Sequence, residues 1–221
     1  MLFPLPEAVV FFAWAFLSAA LEVNIEGSHG WATSLPTWRR ARGGRAFRAA
    51  QLLLMGGRPM TGYHLCMFSL QFLALHLCYA QGTPLTWLNE CQTLAFFFLI
   101  CPTWDFLWFV LNPAYGVKKF SKEHIEWHAG RWWPFSLFPV DYAVSALLSL
   151  VFMFIASGAY EEPLNIIGLL GFYFLWAMLV VLTVDLVGPW YRERRVRLLA
   201  SNDPAIIEVN CDDGIDSSNE G

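Results

Sequence analysis

The stretch CQTLAFFFLICPTWDFLWFVLN, residues 91–112, decides the fold of this chain. It is apolar almost throughout and long enough to cross about 30 Å of hydrocarbon, which takes roughly 20 helical residues. Asp105 is its only charged residue. A carboxylate at this depth costs on the order of 2.5–3.5 kcal/mol unless it is paired, protonated or facing water. The stretch therefore predicts a transmembrane helix that has a reason to keep Asp105.

Four further apolar stretches, at about 6–26, 61–81, 139–159 and 164–187, are of similar length. Only 14% of the residues are charged and 57% are apolar, whereas ordinary soluble chains carry about a quarter charged residues. We therefore predict an all-α, multi-pass integral membrane protein, a bundle of about five transmembrane helices.

The basic residues predict the orientation of this bundle. All fourteen Lys and Arg fall between spans one and two, between spans three and four, or after span five: Arg39, Arg40, Arg42, Arg45, Arg48 and Arg58; Lys118, Lys119, Lys122 and Arg131; Arg192, Arg194, Arg195 and Arg197. Under the positive-inside rule this alternation places the N-terminus outside and the C-terminus in the cytosol. A cleaved signal peptide is the rival interpretation of the first span, but residues 1–7 carry no basic residue.

The remaining segments divide the chain into a transmembrane domain, residues 1–202, and an acidic tail, residues 203–221, that we expect to be disordered in the cytosol. Residues 27–60 form an Arg-rich interfacial segment, with a helix from about Trp38 to Met55 on the membrane surface. Residues 113–138 form a cytosolic loop that contains histidines. There Ser121 is expected to cap a short helix over residues 122–129.

Carboxylates and imidazoles concentrate at the cytosolic ends of the spans. Glu22 and Glu26 lie one helical turn apart, so both can project from the same side, and Asp105 lies about 9 Å inside span three. Each of the five spans contributes such a group to this layer, or has one beside it: Glu22, Glu26, His29, His64, Asp105, His124, His128, Asp141 and Asp185.

This layer predicts a metal-dependent active centre. Glu26 and His29 have the Glu-x-x-His spacing of di-iron bundles, and His124 and His128 have a spacing that zinc sites use. We predict Glu26, His29, His64, His124 and His128 as metal ligands and Asp105 and Glu22 as catalytic residues. Oxygen and nitrogen donors without thiolate favour iron, manganese or zinc.

The expected function is a membrane enzyme that acts on a lipid-like or isoprenoid-like substrate, a hydrophobic small molecule, at the cytosolic leaflet among membrane lipids. Two other mechanisms use the same acids: a metal-free, acid-catalysed isomerase or cyclase, and a small ion or solute transporter that would need to form a homo-oligomer. A non-catalytic adaptor that recruits partners through its tail is the fourth interpretation.

Asp105 would have a purely structural role if it hydrogen-bonds Asn112, His64 or Tyr63 to fix helix packing. The net charge of −4 gives no support for nucleic-acid binding.

Overall fold

The computed structural model describes residues 5–40, 43–55, 58–125, 132–134, 137–158 and 164–202. The predicted acidic tail, His128 and the second half of the predicted helix at 122–129 lie outside these residues. Within them, Ser121–Ile125 form a bend and a turn rather than the start of a helix.

Helices make up most of the described chain. The long ones are α1 (Leu5–Glu26), α3 (Gly62–Ala80), α4 (Trp87–Leu111), α5 (Val140–Ser157) and α6 (Leu164–Leu182), and the shorter ones are α2 (Arg45–Met55) and α7 (Gly188–Asn202). A short π-helix, Thr183–Val187, joins α6 to α7, and a 3₁₀ turn, Val117–Lys119, follows α4. Strands β1 (Arg39–Arg40) and β2 (Met60–Thr61) form a short antiparallel pair.

Among the described residues, five helical stretches are long and apolar enough to cross a membrane: Pro6–Glu26, Gly62–Ala80, Trp87–Leu111, Val140–Ser157 and Asn165–Ser201. The predicted five-helix architecture is therefore confirmed by length and composition. The fifth span differs from the prediction, because the helix continues through the π-helix Thr183–Val187 into α7 instead of ending near residue 187.

Helix α4 is the centre of the bundle. It packs against α1, α3, α5 and α7, and its second half is buried almost continuously from Leu107 to Leu111. The surrounding helices bury one side against it and leave large apolar side chains exposed, such as Leu70 on α3 and Leu147 on α5. This distribution is typical of a bundle whose outer surface faces hydrocarbon.

Local sequence fixes where the helices begin and end. Thr61 and Thr86 accept hydrogen bonds from the backbone N–H of His64 and Asn89 and so cap α3 and α4. Gly27 (φ 63°) follows α1 and Gly158 (φ 63°) ends α5 in the left-handed conformation that glycine favours.

The interfacial helix is shorter than predicted. It begins at Arg45 rather than near Trp38, because Arg39 and Arg40 pair in a ladder with Thr61 and Met60, and two glycines, Gly43 and Gly44, precede α2. This pairing brings the Arg-rich segment back to the start of α3. The C-terminal ends of α1 and α4 lie at the same end of the bundle as the N-termini of α3 and α5, as shown by the contacts Asn112–Gly27, Glu26–His64 and Asp105–Tyr142. We call this end the Arg-rich end.

Candidate active centre at the Arg-rich end

Glu22 and Glu26 occupy the last turn of α1, and both are buried, with 5% and 4% of their surface exposed. The chain then turns at Gly27 and folds back over them, so that the backbone N–H of Ala32 donates to Oε1 of Glu26. Trp31 and Ala32 both adopt left-handed backbone angles (φ 58° and 52°) in this return. Such angles cost of order 1–3 kcal/mol in non-glycine residues and persist only where the surroundings fix them.

His64 approaches the two carboxylates from the first turn of α3. Its Nδ1 lies 2.7 Å from the hydroxyl oxygen of Thr61, which leaves Nε2 as the ring nitrogen that is free to bind a ligand. The indole of Trp31 stacks on the imidazole with the ring centroids 4.0 Å apart. Both contacts fix the orientation of the ring, as second-layer partners do for metal-binding histidines.

One ligand atom from each of Glu22, Glu26 and His64 lies within 4.8 Å of the other two. Ligand bonds of about 2.0–2.2 Å would separate two atoms on one ion by at most about 4.4 Å, so small side-chain rotations would bring these three atoms onto a common ion. Two carboxylates and one imidazole therefore form a candidate site for one divalent metal ion.

Asp105 faces the same space from α4. With Glu22, Glu26 and His64 it lines a small recess between α1, α3 and α4. Its carboxylate accepts a hydrogen bond from the hydroxyl of Tyr142 on α5. The side chain of Asn112, one of the partners considered from sequence, instead donates to the carbonyl of Gly27 at 2.7 Å and accepts from Ala114 N–H.

A cavity of about 50 Å³ adjoins this cluster. Acids and aromatic rings line it together, with Glu22, His64 and Asp105 beside Phe68, Phe97 and Phe98. On the loop side Arg58 closes it, because the guanidinium carbon lies 3.7 Å from the Trp31 ring centroid and 3.8 Å separates the guanidinium from the Asp141 carboxylate.

Two donors in the wall are directed at Glu22 without completing a hydrogen bond. Within the described residues, the Nε1 atom of Trp104 and the hydroxyl of Tyr63 are buried and have no hydrogen-bond partner, and both face the Glu22 carboxylate. Trp104 is only 3% exposed. Because buried donors are rarely left unused, these two donors serve to hold the Glu22 carboxylate in place.

Helix α7 holds the ends of α1 and α4 next to the site. Arg195 donates to the carbonyl of Val23 at 3.1 Å, and Arg192 donates to the carbonyl of Val110. Both carbonyls lie in the last turn of their helices, where cations are favoured. The basic residues after span five therefore have a structural role in addition to the one predicted for them in orientation.

The structure gathers some of the predicted site residues and leaves others apart. Glu22, Glu26, His64 and Asp105 converge. His29 is exposed beside Ser28, with 3.3 Å between its Nδ1 and the Ser28 hydroxyl oxygen, because α1 ends before it. His124 is exposed and lies 2.8 Å from Ser121 Oγ, whereas His128 is outside the described residues.

Sequence reasoning did not select Thr61, Trp31, Arg58 or Tyr142 for this site. Thr61 carried a signal, since a threonine before an apolar run is a helix cap. Tyr142 follows Asp141 near the start of span four and so shares the depth of Asp105 in an antiparallel neighbour. No local pattern indicated Trp31 and Arg58, because their positions depend on how the loop folds back.

The far end of the bundle has polar contacts of its own. His76 lies 3.2 Å from Glu90, and the hydroxyls of Tyr79 and Thr93 are 3.0 Å apart. Midway along α1 and α3, Gln71 donates to Ser18 at 3.1 Å and accepts from the Trp14 indole.

Comparisons of the chain with protein-family models, with curated proteins and with solved structures give no match. The geometry of the Arg-rich end is therefore the basis for the functional argument.

Proposed function

We propose that this protein is an integral membrane enzyme that acts on a lipid-like or isoprenoid-like substrate at the cytosolic leaflet, with a metal ion held by Glu22, Glu26 and His64. One observation carries the proposal: three buried side chains from two helices place their ligand atoms within 4.8 Å of one another. Carboxylate and imidazole donors are those that iron, manganese and zinc accept.

Charge balance supports a cation at this position. Within the described part of the chain, neither Glu22 nor Glu26 forms an ion pair with a basic side chain. Burying two adjacent carboxylates without an ion-paired base is costly, and a divalent cation would neutralise both. Three protein ligands would also leave coordination positions open for water or substrate, as in catalytic metal sites.

The walls of the cavity support a hydrophobic substrate. Phe68, Phe97 and Phe98 lie beside the acids, and Asp105 is about 9 Å inside the span by helical rise. A water-soluble metabolite would have to leave water to reach this depth, whereas a lipid-like molecule can enter sideways from the membrane.

Asp105 and Tyr142 are suited to proton transfer at the edge of the cluster. The Tyr142 hydroxyl donates to the Asp105 carboxylate and fixes its orientation. A metal ion held by Glu22, Glu26 and His64 would supply the acidity of a bound water, and Asp105, oriented in this way at the edge of the cluster, would accept or return a proton. Glu22 lies against two buried donors, Trp104 and Tyr63, which hold its carboxylate in place at the edge of the cavity.

Lipid turnover tests the proposal directly. Purified protein in nanodiscs would be incubated with a total lipid extract and the extract compared by mass spectrometry before and after. We expect a lipid that the wild type consumes to persist with Glu22→Gln or His64→Ala and to be consumed normally by Glu193→Gln, an exposed acid on α7 that pairs with Arg197. Equal turnover by the wild type and Glu22→Gln would overturn the proposal.

The aromatic lining also favours a second mechanism, a metal-free isomerase or cyclase. Trp104 and Phe68 stand in contact, with ring centroids 5.5 Å apart, at the wall of the acid cavity, where their faces could stabilise a developing cation while Asp105 or Glu22 serves as the acid. Turnover after complete chelation separates the mechanisms: activity lost and restored by one added metal supports the metal centre, and activity that survives supports the acid mechanism.

The polar contacts midway along the bundle favour a further candidate, ion or proton transport. Glu26, Glu22 and Ser18 follow one side of α1 at four-residue spacing, and Gln71 extends this row toward the far end. Flux into proteoliposomes that disappears with Asp105→Asn would place transport above the enzyme. Absence of flux, together with lipid turnover, would exclude it.

A further inference from the structure

A second, larger cavity lies between α4, α5 and α6, and its volume is about 540 Å³. This value falls within the range of about 300–1,000 Å³ that is usual for small-molecule sites. The cavity, which we call the apolar chamber, is lined by side chains of all three helices and of the segments beside them, including Leu99, Phe106, Phe120, Ala143, Trp176 and Val180.

The few polar atoms in the wall of the apolar chamber are already used by the protein. The Thr103 hydroxyl donates to the carbonyl of Leu99 at 2.7 Å and accepts from the Trp176 indole N–H at 3.1 Å. Neither residue therefore needs a polar ligand. A wall with these properties suits hydrocarbon and disfavours a polar molecule.

The apolar chamber and the acid cavity meet at two residues, since Pro102 and Tyr142 line both. Tyr142 turns its hydroxyl toward Asp105 on the acid side. A chain that filled the apolar chamber would thus have one end beside the Tyr142–Asp105 pair.

We propose that the apolar chamber binds a single long hydrocarbon chain of the substrate, either a linear acyl-type chain or an isoprenyl chain, with its functional group at Tyr142. This inference rests on the proposed function and specifies the class of substrate. It also distinguishes the chamber from the ordinary lipid-facing surface, because the chamber shares Pro102 and Tyr142 with the cavity at the acid cluster.

Photo-crosslinking tests this assignment. Diazirine-bearing hexadecanol and diazirine-bearing farnesol would each be added to wild-type protein in nanodiscs, irradiated, and the labelled residues mapped by mass spectrometry. We expect saturable labelling of chamber residues such as Phe106 and Val180, displaced by an excess of the unlabelled alcohol. The probe that labels the chamber residues more strongly identifies the type of hydrocarbon chain.

Two variants fill the chamber and one serves as the control. Ala143→Phe and Val180→Phe should each reduce chamber labelling at least fivefold, whereas Val144→Phe, which replaces the neighbouring residue that is 41% exposed and does not line the chamber, should leave it unchanged. Melting temperatures of all three variants identify any that fails to fold. One filling variant that folds is enough for the test.

The outcomes distinguish this inference from the proposed function. Non-saturable labelling that follows exposed positions such as Leu147 and Phe174 would show annular lipid only and overturn the inference. Normal lipid turnover by both filling variants would overturn it as well while leaving the enzyme proposal intact. Saturable chamber labelling with lipid turnover unaffected by Glu22→Gln would keep the chain site and reject the active centre proposed at Glu22, Glu26 and His64.

Discussion

Thr61 has two roles in the first turn of α3. Its hydroxyl accepts the backbone N–H of His64 at 3.1 Å and contacts Nδ1 of the same residue at 2.7 Å. One side chain therefore both starts the helix and orients the imidazole toward Glu22 and Glu26. Because Thr61 is fully buried, water cannot replace its hydroxyl.

Thr61→Val should weaken both roles. Loss of a helix cap costs about 1 kcal/mol of stability, and loss of a second-layer partner lowers metal affinity by about 10–100-fold. Thr86→Val is the matched control, since Thr86 caps α4 at the far end of the bundle. Thermal melting should show destabilisation of both variants, larger for the buried Thr61 than for the exposed Thr86, and metal titration should show weakened binding only for Thr61→Val. Unchanged affinity of Thr61→Val would show that the hydroxyl does not orient His64.

How much of the site could be predicted from sequence depended on the range of each interaction. The four-residue spacing of Glu22 and Glu26 and the depth of Asp105 follow from helix geometry, and the structure brings these three together. Choosing His64 over His29 and His124 depends on the end of α1 at Gly27 and on the return of the loop over Glu26. Those events are set by tertiary contacts, which no local pattern encodes.

The junction between α6 and α7 determines how closely the basic end of the chain approaches the site. The backbone of Gly188 lies against α4, so that a Cβ added there would stand 2.7 Å from Val110 Cγ1 and 3.0 Å from the carbonyl oxygen of Thr183. Arg192, one turn later, donates to the Val110 carbonyl. Close packing at Gly188 thus brings Arg192 and Arg195 within reach of α4 and α1.

Gly188→Ala should push α7 away from α4 and destabilise the protein by about 1–3 kcal/mol, as overpacking of a filled interior does. Gly171→Ala on α6 is the matched control, because a Cβ there meets nothing within 4 Å. Thermal unfolding in detergent measures both. A melting temperature for Gly188→Ala that equals that of Gly171→Ala would contradict the close contact.

The distribution of charge over the whole chain predicts its orientation. The described helices have the lengths and apolar surfaces of membrane spans, and the basic residues lie in alternate connections. The architecture could be predicted from sequence because a hydrophobic run of sufficient length has few alternatives to a spanning helix. The continuation of the last span into α7 could not be predicted from the sequence, because the polar sequence after Gly188 becomes helical through its contacts with α1 and α4.

Reporter fusions test the orientation. With the C-terminus in the cytosol, a C-terminal green fluorescent protein should fluoresce in a bacterial host and a C-terminal alkaline phosphatase should be inactive. The same reporters fused after Ala80, in the connection between α3 and α4, should show the reverse. Active phosphatase at the C-terminus would place the acid cluster at the opposite leaflet.

The metal content of the purified protein tests the central claim most directly. After expression with iron, manganese and zinc present, followed by desalting, elemental analysis of the wild type should find about one bound ion per chain. His64→Ala and Glu22→Gln should lose it, while His29→Ala and His124→Ala, which alter exposed histidines away from the cluster, should retain it. A wild type without stoichiometric metal, or a His64→Ala variant that binds as much as the wild type, would contradict a metal centre formed by Glu22, Glu26 and His64.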